Sequence, residues 1–146
     1  MSAAVYLQAK NATDNEMFES ALARVVNANN YRMLKSADHY FINVSKDGTQ
    51  AAPTRYSSKQ IWISCQRQKD NIAWTVGYDS DYPELGVIAN RTQALLTNML
   101  QAEPLLRVLE SLSLQHTMSI EEDLSVVIEC DNADENTQQI IQGISL

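Results

Sequence analysis

The feature that most constrains this chain is a pair of period-two runs on either side of a short polar break. Ile61, Ile63 and Cys65 alternate with Trp62, Ser64 and Gln66; after Lys69-Asp70-Asn71, Ile72, Trp74, Val76 and Tyr78 alternate with Ala73, Thr75 and Gly77. Successive strand residues point to opposite faces, so such runs read as half-buried strands, and a break this short joins them as an antiparallel hairpin. A two-residue turn at Lys69-Asp70 and one at Asp70-Asn71 differ by two in pairing sum. Both therefore set the Ile/Cys residues opposite the Trp/Val/Tyr residues, and that face is the expected core. The reverse face is small and polar apart from Trp62, which in either register falls near Gly77 or its neighbour, where it can cover a glycine-weakened stretch.

Around this hairpin the remaining patterns are coarser. Ala3 to Ala9 alternates as a short strand. Thr13 and Glu16 have the spacing of a capping box, and Met17, Phe18, Ala21, Leu22, Val25 and Val26 follow at helical spacing until Asn27, Asn29 and Asn30. Tyr31 to Ser45 reads as strand, with Tyr40, Ile42 and Val44 on one side, Asp47-Gly48 as a turn and residues 49–58, including Pro53, as an exposed loop. Asp79 to Gly86 is an acidic turn region. Helical spacing returns from Asn90 to Leu114, but the stripe of Leu95, Met99 and Leu100 is out of line with that of Leu105, Leu109 and Leu112, so two helices meeting at Glu103-Pro104 are expected. Gln115–Ile120 and Leu124–Cys130 read as strands joined at Glu121-Glu122-Asp123, and Asp134–Ile144 as a closing helix. The order β-α-β-β-β-α(α)-β-β-α predicts one α+β domain over residues 1–146, with a mostly antiparallel sheet and helices packed on one face.

Length and composition agree with this. A chain of 146 residues is long enough for one core without disulfides or metals, and 45% apolar with 20% charged residues excludes a disordered chain. No run approaches the roughly 20 apolar residues that span a bilayer, and Met1 to Lys10 lacks the pattern of a secretory signal, so a cytoplasmic protein is expected. Two cysteines in apolar runs, Cys65 and Cys130, are expected as buried thiols rather than a bridge.

Charge carries the functional expectation. Residues 1–73 hold nine Lys/Arg and six Asp/Glu; residues 74–146 hold Arg91 and Arg107 against twelve acids, so the halves sum to +3 and −10 and the chain to −7. The acids gather as Asp79, Asp81 and Glu84, as Glu121, Glu122 and Asp123, and as Glu129, Asp131, Asp134 and Glu135. Asp79-Ser80-Asp81 alternates like a calcium loop but lacks the glycine and terminal glutamate at the required offsets, so solvated turns are expected there and no metal site. Arg55, Lys59, Arg67 and Lys69 near Tyr56 and Trp62 have the mixture that binds single-stranded nucleic acid, but an acidic chain favours the reading of a charged, protected sheet edge. His39 follows Asp38, yet neighbouring strand residues diverge, and His116 stands alone. The four glycines are isolated, so no phosphate loop is present.

No catalytic, cofactor-binding or metal-binding residue is therefore assigned, and no cofactor is implied. The expected function is a small non-enzymatic binding module, of the inhibitor, immunity, adaptor or secretion-chaperone type. It would dock a partner protein with a basic surface through Asp79, Asp81, Glu84, Glu121, Glu122, Asp123 and Trp62. Two other readings stand beside it. Leu105, Leu106, Val108, Leu109 and Leu112 are apolar around more of a helix than one packed side requires, which motivates a self-associating subunit of a phage or cell-envelope assembly. The third is a hydrolase or nuclease in which folding brings acids to His39.

Overall fold

A computed structural model of the chain describes residues 3–12, 14–44 and 60–130. In chain order the elements are β1 (Ala4–Tyr6), β2 (Lys10–Ala12), α1 (Asn15–Ala28), β3 (Arg32–Ser36), β4 (His39–Asn43), β5 (Gln60–Arg67), β6 (Ile72–Asp79), α2 (Leu85–Ser111), β7 (His116–Ile120) and β8 (Val126–Cys130). The expected hairpin is β5–β6. Its register pairs Trp62 with Gly77 and Arg67 with Ile72, and Gln68 N–H donates to Asn71 O at 2.8 Å, so the turn is Lys69-Asp70. Ile61, Ile63, Cys65, Ile72, Trp74 and Val76 are all buried on one face, where the alternation places them.

The main sheet runs β1-β6-β5-β4-β3, with β2 also on β6 and every pairing antiparallel. Both helices lie on its core face. Phe18 of α1 is fully buried between Tyr40 and Trp74, its ring centroid 5.8 Å and 6.0 Å from theirs. Leu95, Leu96, Met99 and Leu106 of α2 enter the same core. Each such side chain stabilises the fold by roughly 1.5–3 kcal/mol relative to exposure. The β7–β8 hairpin forms a separate two-stranded sheet whose Met118, Ile120, Leu124, Val126 and Ile128 pack half-buried against this core. The fold is thus the α+β architecture read from the sequence, an antiparallel sheet with its helices on one side.

Four local expectations are corrected. The first strand is two strands: β1 pairs with β6 at one register and β2 at a register shifted by one, because Leu7, Gln8 and Ala9 stand opposite only Thr75 and Val76. This extra residue is a bulge, and Thr75 Oγ1 secures it by donating to Leu7 O at 2.6 Å. The region after α1 is a hairpin, β3–β4, turning at Ala37-Asp38 with Ala37 at φ 50°. The helix cap is Asp14, whose Oδ1 accepts from Met17 N–H at 3.0 Å; Thr13 lies outside the described residues. The segment expected as two helices is one, and Pro104 sits inside it.

What holds α2 together past its proline is a tertiary clamp. Glu103, fully buried, accepts from Ser20 Oγ at 2.5 Å and Arg24 Nε at 2.9 Å, while Arg24 Nη2 reaches Glu110 at 2.8 Å. Arg107 adds ion pairs to Glu103 and to Glu16. Both helices end in Schellman motifs without glycine. Asn30 and Ser113 take the left-handed turn at φ 56° and 54°, and Tyr31 N–H and Leu114 N–H close back on Val26 O and Leu109 O. The Asp47-Gly48 turn, the 49–58 loop and the 134–144 helix lie outside the described residues, and no described helix is long and apolar enough to cross a membrane.

Candidate functional site

Because α1 and α2 occupy one face of the main sheet, the other face presents its own row of side chains. The registers align Tyr6 with Gly77, Gly77 with Trp62, Trp62 with Phe41 and Phe41 with Leu34, so one line crosses β1, β6, β5, β4 and β3. Only the bulge puts Tyr6 on this face, since it changes the parity between β1 and β2. Tyr6 is 52% exposed and Leu34 43%. Trp62 is half-buried, and Tyr6 meets it edge-on with centroids 6.2 Å apart. Gly77 leaves the space for this: a Cβ there would lie 2.4 Å from Trp62 Nε1 and 3.0 Å from Tyr6 Cε1. Trp62 therefore covers Gly77, as the alternation indicates.

The carboxylates divide. Asp79 follows Gly77 by two residues on β6, so it shares the face of Trp62. Its Oδ1 accepts from Asp81 N–H at 2.9 Å, and Asp81 and Glu84 lie exposed at the start of α2. Glu84 is the N-cap residue of α2, a helix about 40 Å long whose positive end favours a carboxylate, although its side chain makes no cap hydrogen bond. Glu121, Glu122 and Asp123 are exposed at the tip of β7–β8. Leu124 follows at φ 71°, a conformation unusual for a leucine, with its carbonyl accepting from Asn98 Nδ2 at 2.8 Å. The hydrogen bond of Ser125 to Asp123 holds that carboxyl below its ordinary range. Since Asn98 is 14 residues along α2 from Glu84, the two acidic groups are roughly 20 Å apart along the helix axis, and the second lies on the helix side of the molecule. None of these six acids forms an ion pair with a described Lys or Arg.

Compared with known proteins, the chain matches no family model, no curated protein and no solved structure. The site is therefore read from its geometry alone.

The other candidates are placed as follows. Asp38 bonds Arg67 Nη1 at 2.6 Å and His39 stacks on Phe41, with centroids 5.8 Å apart and planes within 11°, so the two side chains diverge as expected. Among the described residues no three His, Cys, Asp or Glu side chains are grouped to hold a metal. Arg55, Tyr56, Lys59, Asp131, Asp134 and Glu135 lie outside the described residues. Both cysteines are free; Cys65 is buried, and burial pushes its thiol up to about 11, whereas Cys130 is half-buried. Cys130 pairs across the hairpin with His116, whose Nδ1 is 2.9 Å from Leu114 O. Pairing across the Glu121–Asp123 turn was the signal for that neighbour. Of the leucines that motivated self-association, Leu105, Leu106 and Leu109 are buried within the chain; Val108 is half-buried and Leu112 is 55% exposed.

Proposed function

We propose that the chain is a protein-binding module whose docking surface is the face of the main sheet opposite α1 and α2. Tyr6 and Trp62 are its anchors and Asp79 lies at its rim. The observation that carries this reading is the cross-strand row of Tyr6, Trp62, Phe41 and Leu34, which is open to solvent at Tyr6 and Leu34, half-buried at Trp62 and buried at Phe41. Covering Gly77 accounts for Trp62 alone. It does not account for a tyrosine and a leucine left open to solvent at the two ends of the same row. Large amphipathic aromatics aligned on a flat face are the residues that dominate protein interfaces, because they bury much area while fixing few rotors. Asp79, together with Asp81 and Glu84, favours a partner carrying Lys or Arg opposite that edge and would speed the encounter more than tighten the complex.

The reading is tested by placing a photocrosslinking benzoylphenylalanine at Tyr6, at Leu34 and, as a control, at Val87, which is 74% exposed on α2. In the native host, positions 6 and 34 should give the same discrete protein adduct and position 87 none. Tyr6→Asp with Leu34→Asp should abolish the adduct formed by a probe at Trp62 while the protein still unfolds in one cooperative transition. Equal crosslinking from all three positions, or none from the row, overturns the proposal.

A further inference from the structure

The two edges of the main sheet differ. On one side the bulge breaks the edge into β1 and β2, three residues each, which blunts it against further pairing. On the other side β3 is unbroken, pairs only with β4 among the described residues, and has all five of its residues exposed, Leu34 among them. Which of its backbone groups are open follows from the neighbouring ladder. Cys65 N–H donates to Asp38 O at 2.8 Å, so Asp38 and Tyr40 turn their backbone groups toward β5, and His39, Phe41 and Asn43 turn theirs toward β3. Their partners on β3 are Ser36, Leu34 and Arg32. The N–H and C=O of Met33 and Lys35 therefore point off the edge, and no described strand or loop pairs with them.

We propose that β3 is the seam of a symmetric dimer, pairing antiparallel with β3 of a second copy so that the main sheet continues from one chain into the other. Setting Met33 opposite the second copy's Lys35 uses every outward N–H and C=O of both strands. Leu34 then meets its own counterpart at the two-fold axis as a closely spaced apolar pair, and no like charges stand opposite one another. Neighbouring registers lose this. One sets Lys35 opposite the second copy's Lys35; the other sets it opposite Tyr31, whose N–H is already spent on Val26 O. A lysine on an edge strand ordinarily opposes such pairing. Here Lys35 pairs with Glu19 of α1 and lies 5.7 Å from the centroid of the Tyr40 ring, so its charge is matched on the helix side of its own chain. A head-to-tail arrangement would need the bulged edge, whereas the two-fold one needs only β3 and closes. It keeps both aromatic rows on one side of a continuous sheet. Dimer and docking face can each fail alone: a probe at position 34 gains a self-adduct of twice the chain's mass, and a probe at Tyr6, at the far end of the row, does not.

Sedimentation equilibrium of the purified full chain, with no other protein present, should show the mass of one chain rising toward two, with a Kd on the order of 100 μM, as befits a short interface. Between about 20 μM and 1 mM, amide exchange should slow about fourfold at Met33 and Lys35 and change little at Leu34, whose amide is already bonded to β4. This comparison needs no variant to fold. Met33→Pro removes an outward N–H that β4 does not use, a change an edge strand tolerates, and should weaken association by about tenfold or more. A chain still monomeric at about 1 mM, exchange at Met33 and Lys35 that ignores concentration, or a folded Met33→Pro variant that dimerises as before overturns the proposal.

Discussion

Gly77 and Trp62 show how one missing side chain organises a face. No positive φ requires the glycine; what it supplies is room, since a Cβ would press to 2.4 Å and 2.8 Å against the indole. Gly77→Ala should therefore displace Trp62 and destabilise the protein by about 1–3 kcal/mol, the usual range for overpacking. With Trp62→Ala already in place the two shortest contacts are gone, leaving Tyr6 Cε1 at 3.0 Å on a half-exposed ring that can give way, and alanine is the better strand residue by about 0.5–1 kcal/mol. The same glycine substitution should then become neutral or stabilising. A double-mutant cycle read by urea unfolding measures this sign change; an equal loss in both backgrounds would mean that Gly77 serves the backbone and not the ring.

At the scale of elements, Pro104 is the instructive residue. It is exposed, so it contributes little packing, and it forfeits one bond inside a continuous helix. Pro104→Ala should restore the N–H to the Leu100 carbonyl and stabilise the protein by about 1–2 kcal/mol, after allowing for the looser unfolded chain. A fall in Tm on this substitution would show that the helix needs its proline. The same residue marks how far elements were legible in the sequence. The β5–β6 core face was legible because period two and a short turn leave a single parity. The break expected at Glu103-Pro104 is not there, and the clamp of Ser20 and Arg24 on Glu103 joins residues 83 and 79 positions apart, which no local pattern reports. The β3–β4 turn was hidden because Ala37 takes a left-handed conformation without glycine or asparagine to signal it. The aromatic row was half legible: Trp62 over Gly77 follows from alternation, but Tyr6 joins only through the bulge.

Over the whole molecule, the described ion pairs join the two unlike halves of the charge distribution at Arg24. Arg24 of the front half pairs with the back-half acids Glu103 and Glu110, whereas Lys35 and Arg67 pair with Glu19 and Asp38 of their own half. These pairs set the response to acid. The hydrogen bond from Lys35, then that from Tyr40, holds Glu19 below its usual 4.5, and the bond from Arg24 does the same for Glu110. A carboxyl whose folded pKa is depressed binds its proton more readily in the unfolded chain. Its contribution is thus present above about 4.5 and is lost as pH falls through the lower, folded value. Glu19 and Lys35 are both partly exposed, so the pair is worth less than about 1 kcal/mol. Wild type should accordingly be slightly more stable than Glu19→Gln at pH 7, and the two stability curves should converge between about pH 5 and pH 3. Chemical unfolding at stepped pH measures the gap. A difference that persists undiminished at the acid end would assign the role of Glu19 to a neutral hydrogen bond with Tyr40 instead of to its charge.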